Sequence, residues 1–146
     1  MQETLDELLR LTRNDFIGRQ VSVTHQAAVH LPPAMTDRIQ IQQVLLNLIL
    51  NACDAMESNA PADRQLTLTT EVVNDELRIG VLDCGIGLPD DIESMFQPFH
   101  TTKPHGLGMG LSICRTLISS QGGRLWAERR PGRGAAFYVS LPLAST

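Results

Sequence analysis

Residues 83–111 read DCGIGLPDDIESMFQPFHTTKPHGLGMGL. The stretch opens at the end of an apolar run with strand parity and closes where a helical pattern begins. Two glycine clusters punctuate it, Gly85 with Gly87, then Gly106, Gly108 and Gly110. No regular element fits most of what lies between. So long a segment without secondary structure, inside a domain of ordinary size, is more often a binding loop or lid than a connection.

Its two ends carry the most information. In the run before it, Leu77, Ile79, Val81 and Asp83 share one parity, and side chains alternate along a strand. A carboxylate thus follows three apolar residues onto the core face. A buried carboxylate without partners is costly, so Asp83 is expected to accept hydrogen bonds at the mouth of a pocket. At the other end, the glycines run into a helix predicted over 111–121. Free N–H groups at a helix start favour an anion, and glycine lets that backbone come close. The pattern is not the dinucleotide fingerprint, because position 111 is Leu111 and no strand precedes it, and no GxxxxGK[ST] loop occurs. Taken alone, the glycine run reads equally well as a flexible loop.

Working outward, Leu66–Val73 and Leu77–Asp83 are predicted strands joined at Asn74-Asp75, with Leu66, Leu68 and Val72 on one side. Leu125–Arg129 and Ala135–Leu141 form a second pair around Pro131–Gly134. Val21–Val29 is a further strand, ended by Pro32-Pro33. Residues 4–17 are predicted as one helix, with a Thr4/Glu7 capping box and Gly18 as its stop. The helix over 37–58 has the clearest period, through Ile41, Val44, Leu45, Leu48, Ile49, Ala52 and Met56. On it Gln43, Asn47, Asn51 and Asp54 form one narrow stripe. Asparagine is a mediocre helix former, so the stripe is either a solvated face or a buried polar face turned to a ligand. Helices and mostly antiparallel strands in this order predict an α+β sandwich, about five strands in a mixed sheet with three main helices on one face.

Composition sets the outer bounds. The chain has 146 residues, enough for one domain with a real core, and an apolar fraction of 42%. With 12 basic and 16 acidic residues the net charge is -4, and no basic run marks a nucleic-acid surface. Three cysteines, far apart, indicate neither zinc site nor disulfide framework and suit a reducing compartment. No apolar run has the length of a membrane span.

The polar residues then acquire chemistry. A fixed carboxylate at Asp83 attracts the exocyclic amine of adenine and repels the carbonyl oxygen of guanine. Asn51 can ligate magnesium through its amide oxygen, since that ion takes few protein ligands beside waters and phosphates. Lys103 supplies a point cation for phosphate.

Four segments in order, QQVLLNLILNACDAM, DCGIGL, FQPFHTTK and GLGMGLSI, resemble the N, G1, F and G2 boxes of sensor histidine kinases, from about residue 20 to the end. PF-x-TTK and NA-x-DAM look most like the oxygen-, nitrogen- and dicarboxylate-sensing kinases. The resemblance implies a Bergerat-type ATP-binding domain of the gyrase–chaperone–kinase–mismatch-repair superfamily, over 19–146, with 1–18 as the helical tail of a linker. It implies that Asn51 carries magnesium, that Asn47 lies beside the phosphates, and that Asp83, with Gly85 and Gly87, binds adenine. Thr101, Thr102, Lys103, Gly106, Leu107, Gly108, Met109, Gly110 and Leu111 then form the lid and the phosphate-facing helix start. Gln43, Asn47 and Lys103 are the candidate catalytic residues, Gln43 to orient an attacking histidine.

Three positions depart from the family pattern. Asp54 stands where lysine or arginine is frequent, so it is expected to hold a magnesium-bound water while Lys103 takes the phosphate role. Ala135 replaces a threonine whose hydroxyl helps bridge to adenine. His100 replaces phenylalanine and is read as a lid-packing residue rather than a phosphate ligand. None of the four histidines (His25, His30, His100, His105) is followed by an acidic residue. The phosphoacceptor is therefore expected on a dimerisation domain outside this chain, with a response regulator downstream. The domain itself is expected to be a cytoplasmic monomer without membrane or nucleic-acid contact, its parent soluble or membrane-anchored. The competing readings are a gyrase- or chaperone-type ATPase and a non-catalytic nucleotide-binding module. Those ATPases carry a glutamate general base where this chain has Asn47, and an amide cannot take a proton.

Overall fold

The computed structural model describes residues 2–27, 34, 36–97 and 110–143. Five strands form one sheet in the order β1-β2-β3-β5-β4. They are β1 (Ser22–Ala27), β2 (Gln65–Val73), β3 (Glu76–Leu82), β4 (Arg124–Arg129) and β5 (Ala135–Pro142). Helices α1 (Gln2–Leu11), α2 (Arg13–Arg19), α3 (Arg38–Ala55) and α4 (Leu111–Ser120) complete the regular structure, with 3-10 turns at Pro61–Asp63 and Ile92–Phe96. The α+β architecture and the five-stranded mixed sheet are as the sequence predicts.

Connectivity follows from local signals. β1 and β2 are parallel, so their link must cross over, and α3 is that crossover. β2 and β3 are antiparallel. Their turn has positive φ at both Asn74 (52°) and Asp75 (62°), the primed geometry that suits the twist of a two-residue hairpin. β5 lies antiparallel between β3 and β4. The end of β3 and the start of β5 are therefore neighbours, and the long stretch after β3 begins beside the turn before β5.

α3 is the centre of the core. Asp37 caps it, its carboxylate accepting from the Ile39 and Gln40 N–H groups; such caps contribute about 1 kcal/mol. Ile41, Val44, Leu45, Leu48 and Ile49 are buried in it. They meet Leu66, Leu68, Leu77, Ile79 and Val81 from the sheet, Leu5 and Leu8 from α1, and Cys114 and Ile118 from α4 in one cluster. Each such side chain contributes about 1.5–3 kcal/mol on burial.

Several local expectations are corrected. The helix predicted over 4–17 is two helices. It breaks at Thr12, whose hydroxyl donates to the Leu8 carbonyl at 2.8 Å, and resumes to Arg19. Its stop is Gln20 in the left-handed region rather than Gly18. Thr4 lies inside α1 and is buried, not a cap. Leu5, Leu8 and Phe16 put these helices into the common core. The helix predicted over 37–58 ends at Ala55. Val72 shares the side of Leu66 and Leu68, as the parity predicts, but is 44% exposed, because β2 runs on toward its hairpin beyond the buried Thr70. The long stretch also contains regular structure, the turn Ile92–Phe96. β1 is described only to Ala27, so positions 28–29 of its predicted span lie outside the described residues.

Leu48→Ala is expected to lower the unfolding free energy in urea by about 2–5 kcal/mol, the cost of removing a fully buried leucine from a close-packed centre. A change within experimental error would contradict the central role of α3.

Candidate functional site

Asp83 immediately follows β3 and is 2% exposed. Strand parity turns it inward, and the backbone satisfies it there. Its Oδ1 accepts from the Gly85 N–H at 2.8 Å and from the Ala135 N–H at 3.2 Å. The Asp83 N–H in turn donates to the Ala135 carbonyl at 2.9 Å. Ala135, noted in the sequence for a missing hydroxyl, thus holds the carboxylate through its main chain. Among the described residues no hydrogen bond reaches Oδ2. Burial pushes the Asp83 carboxyl above its ordinary value of 3.8, against the two backbone donors and the Arg130 charge, which favour the anion.

The turn after Asp83 lies on the C-terminal end of α3. The Ile86 N–H donates to the Ala55 carbonyl at 3.1 Å, satisfying one of the acceptors a helix end leaves open. A Cβ on Gly85 would stand 2.3 Å from that same oxygen. Gly85 is therefore required by contact. Gly87, with φ at 85°, is required by conformation. Across the turn, Gly134 has φ at 105°, and a Cβ there would stand 2.0 Å from the Asp83 carbonyl oxygen.

Three side chains that the sequence did not single out hold this turn in place. The Asp83 carbonyl accepts from Arg130 Nη1 at 2.8 Å, the Cys84 carbonyl from Asn59 Nδ2 at 2.8 Å, and the Gly85 carbonyl from Arg133 Nε at 3.3 Å. Arg133 Nη2 also donates to Asn59 Oδ1. Consecutive carbonyls each have a charged or amide donor, which leaves the carboxylate little freedom to move. Only the turn signal Pro131–Gly134 pointed toward this region.

On α3 the polar stripe is graded. Gln43 is exposed, Asn47 is 7% exposed, and Asn51 and Asp54 are half-buried. Asn47 Nδ2 donates to Cys114 Sγ on α4 at 3.3 Å. Burial lifts the Cys114 thiol to about 11. Asp54, expected near a magnesium-bound water, pairs with Arg19 of α2 at 2.5 Å, a partner 35 residues away in sequence.

α4 starts at Leu111 with Gly110 as its N-cap, and among the described residues a Cβ on Gly110 would meet nothing within 4 Å. This open helix start is the second wall of the site. Before it, Phe96 packs on Phe137 at 6.5 Å, and the Arg115 guanidinium of α4 lies 3.7 Å from the Phe96 ring centroid while pairing with Glu93 at 2.7 Å. The turn Ile92–Phe96 is thereby tied to α4. Thr101, Thr102, Lys103, Gly106, Leu107, Gly108 and Met109, with the lid assigned to them and with His100, lie outside the described residues.

The arrangement combines a buried acceptor at one strand end, an amide stripe on α3 and an open helix start. Its donor set is oxygen-rich and neutral apart from the carboxylates, which suits a hard cation accompanied by phosphates. Among the described residues no group of His, Cys, Asp and Glu is large enough to hold a metal ion by itself. Such a donor set would accommodate a hard cation that brings phosphate ligands of its own.

Known proteins share this fold. The family described as histidine kinase-, DNA gyrase B- and HSP90-like ATPase matches residues 36–145. The sensor histidine kinase TmoS of Ectopseudomonas mendocina is 44% identical over 127 residues, covering 85% of this chain but only 13% of its own length. The catalytic domain of the histidine kinase ThkA superposes with a TM-score of 0.86 at 31% identity, over 98% of this chain and 92% of that one. ThkA in complex with the response regulator protein TrrA gives 0.82 at 28% identity, over 99% of this chain and 40% of that one.

The direction of the Asp83 shift has a consequence for stability. The folded chain holds the proton of Asp83 more tightly than the unfolded chain, so this group favours folding most below the ordinary aspartate value. That contribution is lost as the pH rises through the raised folded value. Measured against Asp83→Asn, which does not titrate, the wild type should lose relative stability from acid toward neutral pH in parallel urea unfolding. A relative gain over that range would contradict the shift.

Proposed function

The chain belongs to the histidine kinase-, DNA gyrase B- and HSP90-like ATPase family, and from that premise we propose that it binds magnesium-ATP and passes the γ-phosphoryl group to a histidine on a dimerisation domain outside these residues. The observation that carries the kinase reading is the buried amide Asn47 on α3, one turn before Asn51. A hydrolase needs a proton acceptor for its attacking water, and an amide is a poor one. An imidazole is already nucleophilic, so positioning and charge neutralisation suffice for transfer to it.

In this reading the exocyclic amine of adenine donates to Asp83, whose position is fixed by the Gly85 and Ala135 N–H groups. Gly87 lets the turn pass close to the base. Asn51 holds magnesium through its amide oxygen, and the ion, when bound, neutralises phosphate charge. The N–H groups at Gly110 and Leu111 face phosphate at the start of α4. Lys103, Thr101 and Thr102, and the glycines 106 and 108 with Leu107 and Met109, are assigned to the lid on the resemblance alone. Gln43, exposed on α3, is free to meet an incoming histidine. Asp54, paired with Arg19, serves better as a brace between α2 and α3 than as a phosphate-side group.

The partners follow from the same proposal: the acceptor domain of the same kinase, and a response regulator, as ThkA has in TrrA. Among the described residues no helix is long and apolar enough to cross a membrane. A cytoplasmic, monomeric domain is proposed on the need for ATP and on the free cysteines.

Calorimetry with ATP and GTP is the direct test. ATP is expected to bind at least about tenfold more tightly, since a carboxylate facing a carbonyl oxygen leaves both unpaired. Asp83→Asn should reduce the ATP affinity by a similar factor, and equal affinities in the wild type would remove the adenine assignment. For the transfer step, the chain is mixed with a dimerisation domain bearing an acceptor histidine. Magnesium-dependent labelling of that histidine, abolished by Asn51→Ala, is the expected result. ATP binding without any label would favour the non-catalytic module.

A further inference from the structure

Cys114 has no role in the reading above, yet it is the group that holds Asn47. The two ends of an asparagine amide are chemically opposite, one an acceptor and the other a donor. An amide on this stripe can therefore face the nucleotide as a donor to phosphate or as an acceptor to a cation. The helix alone does not choose between them.

The structure supplies the choice. Asn47 Nδ2 lies 3.3 Å from Cys114 Sγ, and among the described residues no other group bonds to that amide. Cys114 is fully buried at 0% exposure. It stands one turn into α4, its own N–H donating to the Gly110 carbonyl at 3.2 Å. The sulfur is thus fixed by the same helix start that forms the second wall of the site. The thiol sulfur is a weak acceptor. Such a bond adds little stability; what it provides is direction.

We propose that Cys114 is a positioning residue, which takes the donor end of the Asn47 amide and leaves its oxygen as the atom presented to the magnesium of the bound nucleotide. The proposal rests on the magnesium-ATP reading and adds to it a link between the two walls of the site. Asn47 then acts beside Asn51 on the cation, and the thiol on α4 governs how well it does so.

The test uses the whole chain and two substitutions. Cys114→Val removes the acceptor while filling the space with an apolar side chain, and Cys114→Ser keeps an acceptor. Without nucleotide, the side-chain amide signals of Asn47 in a nitrogen–proton spectrum should move in Cys114→Val and far less in Cys114→Ser. In calorimetry, the gain in ATP affinity that magnesium gives over EDTA should fall about three- to tenfold in Cys114→Val, with the affinity in EDTA and the urea midpoint nearly unchanged. Cys114→Ser should restore the gain, and in an Asn47→Ala background Cys114→Val should have no further effect. Should valine prevent folding, Cys114→Ala removes the acceptor without added bulk and is read in the same way. A magnesium gain indifferent to Cys114, or an equal extra loss in the Asn47→Ala background, overturns the positioning role alone. Failure of the wild-type chain to bind ATP overturns the nucleotide reading and this proposal with it.

Discussion

The site depends on one buried carboxylate held at a single oxygen by main-chain donors. Asp83 is turned inward by the parity of β3 but lies just where that strand stops, so the sheet itself cannot satisfy it. The Gly85 and Ala135 N–H groups converge on one oxygen instead. For both to arrive, the chain must fold back immediately after Asp83, and β5 must begin beside it although Ala135 is 52 residues away in sequence. Main-chain donors held in a turn and at a strand start cannot rotate away as side chains do. Even so, burial outweighs them in setting the proton affinity of the acid. The carboxylate is therefore well placed yet electrostatically unfulfilled, a state in which a further donor would be welcome.

Much of this was legible because it rests on short-range periodicity. The parity of Leu77, Ile79, Val81 and Asp83 placed the carboxylate, Asn74-Asp75 marked the hairpin, and the apolar period of α3 placed the core. What was not legible depends on long-range meeting. Thr12 is a local exception, a break in a good helical pattern that no residue type announces. Val72 matches the parity of Leu66, but its exposure is decided by how far the covering layer extends. Asn59, Arg130 and Arg133 act on carbonyl groups and so carry no spacing that a sequence pattern could report. The Arg19–Asp54 pair joins two helices and reassigns a residue that the stripe alone would have sent to the ligand.

The glycines show how one composition signal hides distinct causes. Gly85 and Gly87 looked like two members of one flexible cluster. Gly85 is excluded from bearing a side chain by the Ala55 carbonyl, whereas Gly87 is needed for its positive φ. Gly134, which the sequence marked only as part of a turn, combines both constraints against the Asp83 carbonyl. Around the carboxylate, glycine therefore creates rigidity by permitting close contact. Gly110 is the contrast, since none of the described residues crowds it.

Asn47 is where stability and chemistry part. It lies in a helix whose other buried positions are apolar or cysteine, and a leucine there would fit the pattern better. A buried amide with a thiol as its described partner is only weakly compensated. A carboxylate at the same place would be worse in the empty site, since its charge would be buried with neutral sulfur as its described partner. It would be compensated only with a cation bound, coupling the state of the site to the ion far more strongly. An amide escapes that coupling, because it gives a cation an oxygen without adding charge to the empty pocket. It also forgoes any ability to take a proton from water. The same substitution of amide for acid thus eases the folding problem and, under the function proposed above, would direct the chemistry from hydrolysis toward transfer to an acceptor that needs no general base on α3.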